Sequence, residues 1–383
     1  MRVMIAERVS TVAPFLAMRV FEKAMELQRA GRSIVHMEIG EPDFETPQCA
    51  KAAAEEAIRA GITHYTSSQG FPDLREAISA HYARAYGVSV DPDQIICTSG
   101  SSPALWLLFS GIMNPGDEVL MSNPGYPSYP TLVRFTGGTP VQVPTLEEDG
   151  FRLDPDRVKA SITPRTKALI INSPCNPTGI ILEPERMKAL ADLGVTIISD
   201  EIYHGLRYSE ERDHSILEYT DNAIVVSGFS KAQAMTGWRL GFLILPKPLV
   251  APLVKMAQHF LVSACSVSQR AGLAAISAYD DVEAMREEYN RRRKATIQGV
   301  REAGLGLKVE PQGAFYVLAN ARRFSTDSVK FSLELLENAG LGVTPGLDFG
   351  SQAEGFIRFS YANSMENINE GMRRLKKYLS SRA

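Results

Sequence analysis

The chain has few of the residues that build disulfide frameworks or zinc sites. It contains four cysteines and six histidines among its 383 residues. The cysteines lie far apart, and the histidines form no paired zinc motif. Because widely spaced single cysteines are typical of a reducing compartment, we expect no metal site and a cytoplasmic location.

Long apolar runs and an excess of basic residues are also lacking. No stretch approaches the roughly 18–20 apolar residues of a membrane span, and the charged N-terminus is a poor signal peptide. The 41 basic side chains face 44 acidic ones, which gives a formal net charge of −3. This balance gives no support for nucleic acid as a partner. We therefore expect neither a membrane nor a nucleic acid among the partners.

What the sequence does contain is a series of short apolar runs between about residues 90 and 245. Most of them are continuous rather than alternating, which indicates strands that are buried on both faces. Such strands are typical of a mainly parallel sheet covered by helices. The seven runs are 94–98, 118–122, 140–143, 167–172, 196–199, 223–227 and 241–245.

The rest of the chain predicts a second, smaller domain. Helical spacing of apolar residues predicts helices over 14–31, 250–279 and 282–303, and a final helix from Met365. Apolar runs at 314–318 and 355–360 predict further strands. We therefore predict an α/β protein with a large domain over 46–284. A smaller α+β domain over 285–383 is joined by an N-terminal arm over 1–45.

Lys231 carries the most chemical information in the sequence. It follows the apolar strand 223–226, on the loop where open α/β sheets bind ligands. A lysine in a dry pocket has a lowered pKa and can form a Schiff base with an aldehyde. Arg239 follows on the same segment and could hold a phosphate. An aldehyde and a phosphate on one molecule describe pyridoxal phosphate; a surface lysine and a helix-packing arginine are the alternative.

A second candidate anion site follows the run 94–98. In Gly100-Ser101-Ser102-Pro103, Ser102 suits the N-cap of a helix and Pro103 its first turn. Free backbone N–H groups at such a helix start bind anions. An ordinary strand-to-helix turn is the alternative.

Polar or aromatic side chains follow other runs. Tyr126 could stack on a planar heterocycle, and Asn176 stands in a proline-rich turn that fixes its direction. Asp200 and Tyr203 end a buried strand, where a carboxylate needs a cation or donors. Arg358 lies within an apolar strand and could grip a substrate carboxylate. Packing, capping or pairing within the protein is the alternative for each.

Six stretches in this order make a specific pattern. They are 39–44, 64–65, 176–179, 200–203, 230–239 and 358–360. In these stretches the chain resembles, nearly from end to end, the class I aminotransferases of pyridoxal-phosphate fold type I. The resemblance implies a seven-stranded, mainly parallel sheet in the large domain, which binds the cofactor. It also implies a ping-pong transfer of an amino group from an amino acid to a 2-oxo acid.

The resemblance implies a role for each matched residue toward the cofactor. Lys231 would bond to its aldehyde and Asp200 would pair with the pyridine nitrogen, and both count with Tyr203 as catalytic. Tyr203 and Asn176 would hydrogen-bond the ring hydroxyl oxygen, and Tyr126 would stack on the ring. The residues implied to hold the phosphate are Gly100, Ser101, Ser102, Ser230 and Arg239. Many family members have a phosphate-binding serine where this chain has Gly228.

The substrate and the partner subunit involve other residues. Arg358, with Asn176 and the backbone of Gly40, would bind the α-carboxylate. Tyr65 would reach the phosphate of a neighbouring subunit, so the resemblance implies a homodimer with shared active sites.

The choice of amino acid depends on a second cation. In bacterial aspartate aminotransferases similar to this chain, a lysine at the helix start provides it, and the matching residue here is Ser102. With Phe15 expected near the pocket, we predict neutral or aromatic donors. Arg134, Arg207 or Arg270 could provide the charge instead, which keeps an aspartate-type enzyme as an alternative. A C–S β-lyase of the same fold and a non-catalytic binding module are the others.

Overall fold

The computed structural model describes residues 5–382. Residues 1–4 and Ala383, the two ends of the predicted small domain, lie outside the described residues. Helices and strands alternate through most of this range. The α-helices are α1 Leu16–Arg29, α2 Gln48–Arg59, α3 Pro72–Tyr86, α4 Ser101–Ile112, α5 Ser128–Phe135, α6 Pro155–Ser161, α7 Pro184–Ala191, α8 Lys247–Phe260, α9 Ser266–Ala275, α10 Tyr279–Glu302, α11 Ser328–Glu334 and α12 Met365–Ser380. The strands are β1 Val35–His36, β2 Ile95–Thr98, β3 Glu118–Asn123, β4 Thr139–Pro144, β5 Thr166–Asn172, β6 Thr196–Asp200, β7 Ala223–Gly228, β8 Gly241–Ile244, β9 Tyr316–Asn320, β10 Leu341–Gly342, β11 Thr344–Pro345 and β12 Phe356–Ser360.

The seven runs between residues 90 and 245 form one sheet. Its strand order is β2-β8-β7-β6-β5-β3-β4. The pairs of β8 with β2 and β7 are antiparallel, and the other four pairs are parallel. The predicted seven-stranded, mainly parallel α/β sheet is therefore confirmed.

Helices bury both faces of this sheet. Along β3, Leu120 packs into the hydrophobic core on one face, while Val119 and Met121 pack into the core on the other. All three residues are buried because successive side chains of a strand point to opposite faces. This burial explains why the runs are continuous rather than alternating.

Two small sheets lie outside the large one. The first is antiparallel, with the order β11-β12-β9, and the second is the parallel pair β1-β10. Through this pair, the N-terminal segment meets the C-terminal part of the chain. Apolar side chains of both small sheets share a core with α10 and α12. The proposed bounds of the two domains stay a prediction.

Some helix bounds differ from the sequence expectations. The segment 250–279 holds no continuous helix, because Val262 adopts a left-handed φ of 62° between α8 and α9. Helix α1 begins at Leu16, whose backbone N–H donates to the carboxylate of Asp348 at 2.8 Å. Within the described range, no helix has the length and apolar character needed to cross a bilayer.

Candidate active site

A cavity of about 210 Å³ lies at the carboxyl edge of the large sheet. Strands β5 and β6 end there with Asn172 and Asp200, and Lys231 follows the end of β7. The N-terminal segment and the antiparallel small sheet close the other side. Open parallel sheets bind their ligands at this edge. The predicted site residues that line the cavity are Phe15, Gly40, Ser101, Tyr126, Asn176, Asp200, Tyr203, Lys231 and Arg358.

Lys231 points its amine across the cavity to the N-terminal segment. Its Nζ donates to the backbone oxygen of Gly40 at 2.8 Å. Burial lowers the pKa of this amine to about 8. A β-carbon at Gly40 would overlap with the hydroxyl of Tyr316, so only glycine lets the segment approach so closely. Lys231 pairs with no carboxylate of residues 5–382, which leaves its amine available for chemistry.

Asp200 is a buried carboxylate with donors but no cation. The Tyr129 hydroxyl donates to its Oδ2 at 2.6 Å, and the backbone N–H of Ile202 donates to Oδ1 at 3.2 Å. Burial raises the pKa of Asp200 to about 6, although the bond from Tyr129 acts in the opposite direction. In the described part of the chain, no lysine, arginine or histidine forms an ion pair with it. A cation that entered the cavity would relieve this cost of burial.

Arg358 shows the reverse situation on the opposite wall. It donates to Asn176 Oδ1 at 3.0 Å, to the backbone oxygen of Glu38 at 2.6 Å and to Thr344 Oγ1 at 3.1 Å. Its Nε is buried without a hydrogen-bond partner. None of the carboxylates between residues 5 and 382 neutralises it. A buried guanidinium with only neutral partners is a strong site for an anion.

Neutral side chains complete the walls between these charges. The amide oxygen of Asn176 accepts from Arg358, which leaves its NH₂ group free for another acceptor. The side chain of Asn172 holds this loop, because it accepts from the backbone of Asn176 at 2.8 Å and donates to the Asp200 carbonyl at 3.0 Å. The hydroxyls of Tyr203 and Tyr316 lie 2.8 Å apart.

A glycine-lined corner next to the cavity brings the start of α4 close to Arg239. Gly100, with φ 101°, is the N-cap of α4, so the prediction that Ser102 caps this helix is wrong. The helix starts earlier because glycine readily adopts positive φ. A β-carbon at Gly100 would lie 2.5 Å from Nη2 of Arg239. The hydrogen bond found for this guanidinium goes to the Thr236 carbonyl at 2.9 Å.

The same corner explains the glycine at position 228. A β-carbon there would lie 2.8 Å from Cα of Gly241 and 2.8 Å from the carbonyl oxygen of Leu240. A serine would therefore need a shift of β8. The departure from the family pattern fits the close contact between β7 and β8.

Comparisons with known proteins agree with this geometry. The family model for aminotransferase class I and II matches residues 32–375. The chain belongs to this aminotransferase family. It is 42% identical to the aspartate/prephenate aminotransferase of Thermus thermophilus, over 98% of each chain. It is 38% identical to the (5-formylfuran-3-yl)methyl phosphate transaminase of Methanocaldococcus jannaschii, over 98% of this chain and 100% of that one. Among solved structures, Thermus thermophilus aspartate aminotransferase with maleate matches with a TM-score of 0.94 and 41% identity, over 98% of this chain and 100% of that one.

The structure of this aminotransferase leaves some predicted site residues outside the main cavity. Gly100 and Arg239 meet in the adjoining corner, and Ser230 is buried beside Lys231. Ser102 lines a second cavity, which shares Phe15, Tyr126 and Tyr129 with the main one. Tyr65 is 85% exposed and does not line the main cavity of its own chain.

Four polar residues of the cavity had no role in the sequence analysis. They are Glu38, Tyr129, Asn172 and Tyr316. Tyr129 could have been found, because it follows Tyr126 by three residues at the start of a helix. Glu38 interrupts an apolar stretch, which is the same signal that identified Arg358. No local signal connects Tyr316 with Gly40, because their contact depends on the tertiary fold.

Proposed function

We propose that this aminotransferase uses pyridoxal phosphate to move an amino group from an L-amino acid to a 2-oxo acid by a ping-pong mechanism. The observation that carries this proposal is a set of charged side chains that have no counter-charge within the protein. Lys231, Arg239 and Arg358 form no ion pair with a carboxylate of residues 5–382. Asp200, buried beside the same cavity, forms none with a cation. A ligand with an aldehyde, a phosphate and a basic ring nitrogen would satisfy these groups together with a substrate carboxylate.

The donor set fits each part of the cofactor. Lys231 would bond to the aldehyde, and Asp200 would hold the proton of the ring nitrogen. Tyr203 and the free NH₂ of Asn176 would donate to the ring hydroxyl oxygen, while Tyr126 would cover a ring face. The groups proposed for the phosphate are Arg239, Ser230 and the start of α4 at Gly100, Ser101 and Ser102.

The chemistry of the bound cofactor is that of an electron sink for the charge left when the α-proton is removed. Nζ of Lys231 would remove this proton from the α-carbon of the substrate and hold it for the transfer. Its pKa of about 8 provides a useful neutral fraction near neutral pH. Arg358 holds the α-carboxylate with its planar fork and so fixes which bond of the substrate faces Lys231.

For the donor, we propose neutral or aromatic amino acids. Lys231 and Arg358, the cationic residues of the main cavity, both have roles that do not involve the substrate side chain. Arg207 pairs with Glu211. Arg270 pairs with Asp73. These two arginines are therefore neutralised elsewhere.

Aspartate is the second candidate donor, and two observations favour it. Relatives such as the Thermus thermophilus enzyme carry aspartate in their names, and Arg134 lines the neighbouring cavity that shares Phe15 with the main one. The relative named for a furan-methyl phosphate has similar identity. A relative's name therefore does not by itself select the donor.

Two copies of the chain complete the proposed enzyme. The exposed ring of Tyr65 would reach the phosphate of the partner subunit, so the assembly would be a homodimer with shared active sites. Mixing a Lys231→Ala subunit with a Tyr65→Phe subunit tests this arrangement. Recovered activity in the mixed dimer supports shared sites, and no recovery contradicts them.

An absorbance titration of the cofactor-loaded enzyme with single amino acids tests the function. Without an acceptor, a spectral change with one oxo acid released per site establishes transamination and ranks the donors. Pyruvate and ammonia released from cysteine-type substrates, without that change, would instead indicate a β-lyase. No response to any amino acid would contradict the proposal.

A further inference from the structure

Tyr316, at the start of β9, is a cavity residue that the proposed mechanism leaves without a role. Its side chain is almost completely buried and lines the main cavity. Its hydroxyl lies 2.8 Å from the hydroxyl of Tyr203 and forms no other hydrogen bond with residues 5–382. Burial raises the pKa of the Tyr316 hydroxyl, so it keeps its proton at neutral pH. Tyr316 therefore has one O–H group and one protein partner for it.

The bond between the two tyrosines acquires a direction in the proposed enzyme. A tyrosine hydroxyl carries one proton, and Tyr203 would donate its proton to the ring hydroxyl oxygen of the cofactor. The 2.8 Å bond can then persist only if Tyr316 donates to Tyr203. A hydroxyl that accepts one hydrogen bond becomes a better donor in the next, because neighbouring hydrogen bonds polarise each other. Tyr316 would therefore strengthen the bond from Tyr203 to the cofactor.

The ring of Tyr316 contacts the arginine that would hold the substrate. In the register of β9 with β12, Arg358 lies opposite Leu318, so Tyr316 is its diagonal neighbour on the same face. The guanidinium carbon of Arg358 lies 4.3 Å from the centre of the Tyr316 ring. An aromatic face attracts a guanidinium and favours a stacked orientation of its plane. The ring therefore helps to fix the fork that would bind the α-carboxylate.

Gly40 confines the same side chain from another direction. A β-carbon at Gly40 would overlap with the hydroxyl of Tyr316 and lie 2.8 Å from two of its ring carbons. The carbonyl oxygen of Gly40 accepts the hydrogen bond from Nζ of Lys231. The Tyr316 side chain thus contacts groups proposed to serve the cofactor, the substrate and the base, and it has little room to move.

We propose that Tyr316 is a positioning residue with two separable functions. Its hydroxyl directs the proton of Tyr203 toward the ring oxygen of the cofactor. Its aromatic ring orients the guanidinium of Arg358 for the α-carboxylate of the substrate. This inference rests on the proposed function, because it places the cofactor and the amino acid in this cavity.

The absorbance of the cofactor-loaded enzyme tests the function of the hydroxyl. A donor to the ring oxygen stabilises its deprotonated form, so Tyr316→Phe should raise the pH midpoint of the cofactor's absorbance change by about half a unit. In a Tyr203→Phe background, the same substitution should leave the midpoint unchanged, because the residue through which Tyr316 acts is missing. A midpoint that does not rise in Tyr316→Phe, or an equal rise in both backgrounds, would overturn this function.

Steady-state kinetics test the function of the ring. Tyr316→Phe keeps the aromatic face, so KM for the amino acid and for the oxo acid should stay within about twofold of the native values. Tyr316→Leu lacks this face and should raise both KM values by about fivefold to tenfold. If Tyr316→Leu does not fold, Tyr316→Met provides the same test, because the flexible methionine side chain fills irregular gaps. Equal KM values with and without the aromatic ring would overturn this function.

Tyr361→Phe is the matched control. Tyr361 is also buried, and its hydroxyl donates to the Ala314 carbonyl at 3.2 Å, but it does not line the cavity. Its replacement should leave the midpoint and both KM values unchanged. A shift as large as that of Tyr316→Phe would mean that the loss of any buried hydroxyl in this core produces the effect, and would overturn the proposal. Failure of the proposed function looks different, because the native enzyme would then take up no cofactor or respond to no amino acid.

Discussion

Arg292 on α10 and Arg358 on β12 are buried to a similar extent, with exposed fractions of 6% and 4%. Arg292 donates to Asp43 at 2.6 Å and to Glu288 at 2.9 Å. Arg358, which lines the cavity, has only neutral acceptors. The first arginine is neutralised within the protein, whereas the second retains its charge for a ligand.

Two adjacent carboxylates repeat this difference. Glu201 accepts hydrogen bonds from Tyr82, Ser199, Ser215 and the backbone N–H of Ile216. Asp200, one residue earlier, faces the cavity and accepts from one side chain and one backbone group. Burial alone therefore does not identify a functional ion. A functional ion is identified by burial at a cavity together with the lack of groups that compensate its charge.

The largest difference is expected between two lysines, because Lys231 has no carboxylate partner whereas Lys188 has one. Lys231→Ala should lower kcat by at least about 10²–10⁴-fold, because no other amine lines the cavity in the described residues to move the proton. Lys188 pairs with Asp192 at 2.8 Å on α7, and Lys188→Ala should leave kcat unchanged. Steady-state kinetics of both variants check this. Comparable activity of Lys231→Ala would remove the lysine from the mechanism.

Substitution of Arg358 and of Arg292 should affect different properties, namely substrate binding and folding stability. Arg358→Ala should lower kcat/KM by about 10²–10³-fold, mainly through weaker binding of amino and oxo acids. Arg358→Lys should restore little, since an ammonium lacks the planar fork. The cofactor spectrum without substrate should not change. Bleaching of that spectrum would mean that Arg358 holds the cofactor rather than the substrate.

Arg292→Ala should instead act on folding. It should lower the free energy of unfolding by about 2 kcal/mol, less than for a fully buried pair, because Asp43 and Glu288 are partly exposed. The KM of the folded enzyme should change little. A KM effect as large as that of Arg358→Ala would break the distinction between paired and unpaired ions.

The sequence was sufficient to predict the large sheet and half of the residues that line the cavity. Both are encoded locally: buried parallel strands are continuous apolar runs, and polar residues at the ends of those runs meet at one edge. Lys231, Asp200 and Asn176 follow this rule. Arg358 could be predicted because a lone charge in an apolar strand needs either a buried counter-charge or a ligand.

The features that could not be predicted depend on contacts between distant segments. The residues next to a glycine in sequence do not predict which distant group packs against it. This applies to the contacts of Tyr316 with Gly40, of Arg239 with Gly100 and of β8 with Gly228. The start of α4 was placed wrongly because serine is a common N-cap, whereas Gly100 takes that position with a positive φ. Local propensity favours a cap residue, but tertiary packing decides where the helix starts.

The two adjacent carboxylates should respond to substitution in opposite ways. In the cofactor-free protein, burial raises the pKa of Asp200 from an ordinary value of 3.8 to about 6. The folded state therefore binds this proton more tightly than the unfolded chain does, so stability is lost as the pH rises from about 4 to about 6. Asp200→Asn should remove this loss and raise the free energy of unfolding by about 3 kcal/mol above pH 6. Below pH 4 it should change stability little.

Glu201→Gln should destabilise the protein instead, by about 1–3 kcal/mol, because its donors would lose a carboxylate acceptor. Urea unfolding of both variants between pH 4 and pH 8 checks this pair. Destabilisation by Asp200→Asn across the whole range would show that Asp200 is as well compensated as Glu201.

The smallest effect is expected when the hydroxyl of Tyr129 is removed. This substitution tests whether the hydroxyl stabilises the charge of Asp200 or contributes only to packing. Tyr129→Phe removes the 2.6 Å bond to Asp200 and should raise the pKa of that carboxyl further, because this bond stabilises the charged form. If Asp200 must stay ionised to hold the proton of the ring nitrogen, kcat/KM should fall by about tenfold. Tyr86→Phe is the matched control, since it removes a partly buried 2.8 Å bond to His204 outside the cavity. Equal loss of activity in the two variants would mean that Tyr129 acts through stability alone, whereas a loss confined to Tyr129→Phe would show that the charge of Asp200 is maintained for a ligand.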